Sequence, residues 1–132
     1  RAKAIERSMS HVEFTHCDLD DPSLKKSDYS VVSAFNVLHL LSDLPSALSS
    51  ISSILSPGGL LITETPCLGE RGRFQRSFVG VAQAMGFAPS ILHLTYASLK
   101  ARILDAGFSV KHDNVCNQEY TTIRVVAEAA AG

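Results

Sequence analysis

Apolar positions along the chain change period several times, and each change predicts an element. Residues 2–8 (AKAIERS) hold good helix formers. They give way to HVEFTHC at 11–17, whose alternation and β-branched content predict a strand. An acidic turn, Asp18 to Pro22, ends it. Residues 29–35 (YSVVSAF) are apolar without strict alternation, the pattern of a strand covered on both faces of a parallel sheet. From Leu44 the apolar residues Leu44, Ala47, Leu48, Ile51, Ile54 and Leu55 recur at helical spacing, with Ser42 or Asp43 as cap and Pro45 in the first turn. Pro57-Gly58-Gly59 then reads as a tight reversal into a second buried strand, LLITE at 60–64. Strand, helix, strand implies a right-handed parallel crossover.

Phe74, Phe78, Val81 or Ala82, and Met85 place a helix over 73–85. A further helix runs over 95–106, with Thr95 as cap, Leu99, Ile103 and Leu104 as its apolar face and Gly107 as terminator. Two closing strands, 108–112 and 121–127, are joined by a polar segment too short to hold a helix, so they are expected to pair antiparallel. The alanine-rich tail after Glu128 is expected to fray. The fold class is therefore α/β in one domain over 1–132, a parallel sheet finished by an antiparallel hairpin.

Composition narrows the function. The chain has 132 residues, 45% hydrophobic and 19% charged, enough for one packed core. Its apolar runs fall far short of the ~20 residues a membrane helix needs, and no signal peptide is legible, so a soluble, cytoplasmic protein is expected. A net charge of −1 supplies no global positive field, which argues against nucleic-acid or membrane partners and for a small molecule. Cys17, Cys67 and Cys116 lack CxxC spacing and are read as buried thiols in a reducing compartment. The histidines show no HxH or HxxxH pairing with carboxylates beside them, so no metal is expected. There is no GxSxG elbow and no GxxxxGK[ST] loop, which removes the hydrolase and triphosphatase readings based on motifs.

In open α/β sheets ligands bind beyond the carboxyl ends of the strands. The three strands predicted as parallel end in Asp18-Leu19, in Asn36-Val37-Leu38-His39 and in Glu64-Thr65, which would place polar groups on one rim. The succession VEFTHCDLDD, YSVVSAFNVLHLLSDLPSALSSISSILSPGGLLITETP, YASLKARILDAGFSV and TTIRVVAEA resembles the later two thirds of a class I S-adenosylmethionine-dependent methyltransferase. The most specific parts are the stretch from NVLHLLSDLPSAL to ILSPGGLLI and the LDAGF before the hairpin. The resemblance implies a Rossmann-like sheet, S-adenosylmethionine as cofactor, methyl transfer to a small-molecule acceptor, and a lid insertion over 72–94.

It also implies roles for particular residues. Asp18 matches the acidic residue that accepts a hydrogen bond from the adenine amino group, and Leu19 the neighbouring backbone N–H donor to the ring. Asn36, Val37 and Leu38 match the segment lining the methionine arm. His39 lies where the methyl group leaves; its ordinary pKa suits a general base, and packing at the strand-helix junction is the alternative. Glu64 could orient an acceptor. The 71–104 stretch carries Arg71, Arg73, Arg76, Lys100 and Arg102 without an acid, so Arg73 is the candidate contact to an anionic acceptor; a solvated helix face explains the same charges.

The departures are large. No GxG stands at a strand-to-helix turn anywhere in the chain, and the family's glycine-rich loop would precede Arg1, so the fold reads as truncated at its N-terminus. The missing strands leave edges unpaired, which invites a homodimer that covers them. A truncated methyltransferase-fold module acting in binding or assembly without catalysis is the competing function. A nicotinamide-dependent dehydrogenase is disfavoured by the terminal antiparallel hairpin.

Overall fold

A computed structural model describes residues 11–67, 69, 92–117 and 121–131. The helices expected over 2–8 and 73–85, and all of the 72–94 insertion except its last three residues, lie outside the described residues.

Strand β1 (Tyr29–Phe35) is followed by a single 3-10 turn (Leu38–Leu40), helix α1 (Leu44–Ile54) and strand β2 (Leu55–Pro66). Helix α2 (Tyr96–Asp105), strand β3 (Ser109–Asn117) and strand β4 (Thr122–Glu128) complete the order. The strands form one four-stranded sheet in the order β1-β2-β4-β3. β1 and β2 run parallel across the α1 crossover, whereas β4 is antiparallel to both β2 and β3.

Local chemistry accounts for the helices. At α1 the Asp43 carboxylate accepts the Ser46 N–H at 3.0 Å, capping a terminus already preorganised by Pro45. Leu44, Leu48, Ile51 and Ile54 turn inward. At α2 the Thr95 hydroxyl accepts the Ser98 N–H at 3.1 Å while the Ser98 hydroxyl accepts the Thr95 N–H at 2.9 Å, a reciprocal capping box. Gly107, at φ +88°, ends that helix in a conformation costly to any residue with a Cβ.

Both helices lie on one face of the sheet, where Leu38, Leu48, Leu61, Leu99, Ile103, Val125 and Ala127 form a core with no exposed surface. Among the described residues no helix packs on the opposite face. β1 is consequently not the doubly covered strand its apolar run predicts: Val31 is 49% and Phe35 55% exposed. β2 alternates between buried and half-buried positions for the same reason.

The segment 11–17 is not a strand. It is irregular and largely exposed, including Val12 and Phe14. Alternation supplies the side-chain pattern of a strand but not its hydrogen-bond partners, and among the described residues no strand lies beside it. The reversal expected at Pro57-Gly58-Gly59 lies inside β2. Tyr29 pairs with Leu55 and Val31 with Leu60, so three extra residues bulge from β2 there. Gly59 is required at this bulge, since a Cβ would stand 2.8 Å from the Ser56 carbonyl oxygen and 3.2 Å from that of Ser30.

β3 continues to Asn117, absorbing half of the connection read as polar. The tail does not fray immediately: Ala129 is buried and its N–H reaches the Gly59 carbonyl at 2.8 Å. Of the cysteines, Cys67 is buried as expected, while Cys17 is partly exposed and Cys116 is exposed on β3.

Candidate cofactor site

The carboxyl ends of the two parallel strands, β1 and β2, make the rim where a ligand site is expected. Immediately after β1 the chain turns at Asn36, which sits at φ +54°. Among residues with a Cβ, asparagine tolerates this left-handed region best, and such strain recurs at ligand sites. The Asn36 N–H donates to the Glu64 carbonyl at 2.8 Å, locking the turn onto the end of β2. Val37 follows, exposed, and its carbonyl accepts the Leu40 N–H at 2.9 Å to start the 3-10 turn.

Leu38 and His39 point inward. Leu38 has no exposed surface, so its side chain belongs to the core and only its backbone can face a ligand. His39 is 9% exposed, its Nδ1 has no hydrogen-bond partner, and burial holds its pKa below the ordinary histidine value. The ring is therefore neutral near pH 7. Its carbonyl accepts the Leu92 N–H at 2.7 Å, which ties the turn to the segment entering α2.

Glu64 pairs in register with Phe35 at this rim, but its carboxylate is already engaged. Oε1 accepts from Arg124 Nε at 2.8 Å and from the Nη2 of the same guanidinium. Arg124 stands opposite Glu64 on β4, and the carboxylate holds the guanidinium pKa above its usual value. Glu64 is thus half of a cross-strand ion pair. Arg124 escaped the sequence reading because only the β2-β4 register brings it to Glu64. Two further polar groups went unnoticed, the hydroxyls of Thr63 and Thr65. Both residues are fully buried on the helix-covered face of β2, and neither hydroxyl has a partner.

Asp18 and Leu19 occupy an exposed turn closed by the Asp21 N–H donating to the Asp18 carbonyl at 3.2 Å. With Asp20 they form one wall of a crevice of about 380 Å³, whose other wall is Leu41, Ser42, Asp43 and the first turns of α1. An adjoining crevice of about 470 Å³ runs from Leu19 past Lys25 and Lys26 to Ser53 and Ile54. The structure thus brings Asn36 to His39 together with Glu64 at one rim and sets Asp18-Leu19 beside the next loop, Leu41 to Asp43. Neither crevice is lined by Asn36–His39 or Glu64. Arg73 lies outside the described residues. Among the described residues, no group of three His, Cys, Asp or Glu is placed to hold a metal ion. No helix there is long and apolar enough to cross a membrane.

This donor set fits the adenine end of a nucleoside better than its ribose. A carboxylate and the backbone N–H next to it stand exposed at Asp18-Leu19, whereas among the described residues no strand-to-helix glycine turn approaches a sugar or a carboxylate tail.

Comparison with known proteins agrees with the geometry. A family model described as a methyltransferase domain matches residues 2–112. No match was found among the curated proteins. Among solved structures, geranyl diphosphate C-methyltransferase from Streptomyces coelicolor A3(2), in complex with Mg2+, geranyl diphosphate and S-adenosyl-L-homocysteine, is similar at a TM-score of 0.75 and 12% identity, over 98% of this chain and 59% of that one. A Bacillus halodurans protein described as a methyltransferase gives a TM-score of 0.72 at 12% identity, over 92% of this chain and 79% of that one. A Haloferax volcanii methyltransferase solved with its activator Trm112 gives 0.66 at 13% identity, over 96% and 67%. The chain accordingly spans between 59% and 79% of the length of these three neighbours.

Proposed function

The chain belongs to the methyltransferase domain family, with the class I S-adenosylmethionine-dependent fold, and from that membership we propose that it takes part in methyl transfer to a small-molecule acceptor. The observation that carries this reading is the strained turn at Asn36, anchored to the Glu64 carbonyl at the carboxyl ends of the only two parallel strands among the described residues. A ligand site of this sheet class belongs there.

The residues divide the work as follows. Asp18 would hold the adenine amino group and the Leu19 N–H the adjacent ring nitrogen. Asn36, Val37 and the Leu38 backbone would line the methionine arm. S-adenosylmethionine supplies an electrophilic methyl group on a sulfonium centre. Positive charge is lost as that methyl moves, so a dry wall and correct alignment provide most of the acceleration. The exposed Val37 side chain would contribute an apolar part of such a wall. His39, kept neutral by its surroundings, can accept a proton from an acceptor through its ring. Glu64, held by Arg124 at this rim, would orient the acceptor, and Arg73 would match an anionic group on it.

Titration by S-adenosylhomocysteine, followed by backbone amide NMR of the 132-residue chain, tests the assignment. In the absence of a glycine-rich turn the affinity is expected to be weaker than micromolar. At saturating ligand the amides of Asp18, Leu19, Asn36, Val37 and His39 should nevertheless move together. If those amides stay still, the chain is a binding or assembly module rather than part of a methyl-transfer site.

A further inference from the structure

Three backbone hydrogen bonds in series connect the His39 turn to the residue that follows β2 most closely on the far side. The Gly69 N–H donates to the Leu94 carbonyl at 2.8 Å, the Leu94 N–H to the Leu92 carbonyl at 2.9 Å, and the Leu92 N–H to the His39 carbonyl at 2.7 Å. The middle bond joins residues two apart, so 92–94 is a γ-turn centred on His93, a tight ring that moves as one piece. Leu94 is buried in the core and Leu92 packs against it, which anchors this turn, and Thr95 follows at once as the cap of α2. The two ends of the β2–α2 connection thus meet each other and then meet His39.

Gly69 is where the approach is closest. A Cβ there would stand 2.8 Å from the Leu94 carbonyl oxygen, 2.9 Å from that of His93 and 2.8 Å from Thr95 Cγ2. Two of these three obstacles are main chain, within the γ-turn and next to a helix cap, and cannot yield by rotating a side-chain bond. Any side chain at 69 must push 93–94 away from the end of β2. The Leu92 N–H then moves with them, and its bond to His39 either lengthens or drags the turn.

On its other side the His39 turn is held by the Asn36 N–H on the Glu64 carbonyl at 2.8 Å. The ring has no such tether at Nδ1, which is sealed from solvent without a partner. Main-chain anchors and packing therefore decide where the imidazole sits. We infer that Gly69 is a positioning residue for His39: its missing side chain lets the γ-turn close on the end of β2 and hold the imidazole at the rim. The inference rests on the reading of His39 as proton acceptor, because a base works only within about 2.6–3.2 Å of the atom that gives up the proton. Gly69 itself touches no reacting atom and acts through the backbone.

The test follows the His39 ring by NMR through a pH titration of the ligand-free 132-residue chain. Burial alone depresses its pKa, with no charged group contributing among the described residues, so the midpoint reports how deep the ring lies. In Gly69→Ala the midpoint should rise toward the ordinary value of about 6.5, and the Leu92 amide should exchange with solvent about tenfold faster or more. Gly59→Ala is the control. Its Cβ also meets backbone, 2.8 Å from the Ser56 carbonyl oxygen, but at the opposite end of β2, so it should weaken the fold and leave the His39 midpoint in place. An unmoved midpoint in Gly69→Ala, or an equal movement in both variants, would overturn the proposal. If Gly69→Ala does not fold by circular dichroism, amide exchange of the wild type decides. Gly69 and Leu92 should open together, with protection factors within about threefold of each other, and a wider gap refutes the linkage. No ligand enters these measurements, so their failure is distinct from that of the S-adenosylhomocysteine titration, which alone bears on the methyl-transfer reading.

Discussion

The two orphaned hydroxyls of β2 predict that replacing threonine by valine stabilises this protein. Thr63 and Thr65 lie two residues apart on the face of β2 that the helices cover, with no exposed surface, and neither Oγ1 has a hydrogen-bond partner. A buried polar group left unpaired costs about 1–3 kcal/mol relative to the unfolded chain, where water satisfies it. Valine keeps the branched shape, suits a strand at least as well, and replaces the hydroxyl by a methyl group in a layer of leucine, isoleucine and valine. Each substitution should therefore raise the unfolding free energy by about 1–2 kcal/mol, with a Tm increase of roughly 3–6 °C for a domain of this size. Urea denaturation monitored by circular dichroism measures the effect. The midpoint should rise at an unchanged m-value, because the surface exposed on unfolding hardly changes. A loss of 1 kcal/mol or more in either variant would mean that the hydroxyl is satisfied in solution, and the reasoning from unpaired groups would fail at that position.

Other consequences are equally open to measurement. His39 has a folded pKa below its ordinary value because of burial, so the unfolded chain takes up its proton first as pH falls. The stabilising contribution of the neutral ring is complete above the ordinary value and is lost as pH drops below about 6.5. His39→Gln should flatten this part of the stability profile in urea titrations at stepped pH, and an unchanged acid slope would place the ring in water. Gly59→Ala should destabilise by about 1–3 kcal/mol, since the added Cβ meets backbone oxygens rather than flexible side chains; a neutral effect in thermal melts would show that the bulge relaxes. Asp18→Ala should weaken S-adenosylhomocysteine binding about tenfold or more, as expected when a charged hydrogen bond to the adenine amine is lost, and an unchanged midpoint in the NMR titration would remove Asp18 from the site.

Much of the framework was legible because it rests on local chemistry. Asp43 and Thr95 cap helices where their spacing to the following apolar stripe says they should, Gly107 ends α2, and a connection too short for a helix forces β3 and β4 to pair antiparallel. What failed was whatever depends on neighbours distant in sequence. Among the described residues the 11–17 segment has the side chains of a strand but no strand beside it, and YSVVSAF looks doubly buried although Val31 and Phe35 are about half exposed. At the site, Asn36 was legible as the residue after the β1 run, but its left-handed backbone was not. The Glu64–Arg124 pair could not be foreseen, because the partners are 60 positions apart and meet only through the β2-β4 register. The unpaired state of Thr63 and Thr65 was equally invisible, since threonine in a strand is ordinary and its isolation is a property of the surrounding core.

The placement of β4 between β2 and β3 bears on how the polypeptide matures on the ribosome. Pro66 must wait for Thr122, about 56 residues later, before that flank of β2 is closed. At 5–20 residues per second the nascent chain would carry this half-made sheet for about 3–11 s, in addition to the time needed to clear the exit tunnel. Loss of residues 122–128 would delete the seam that joins β2 to β3 rather than trim a loose end.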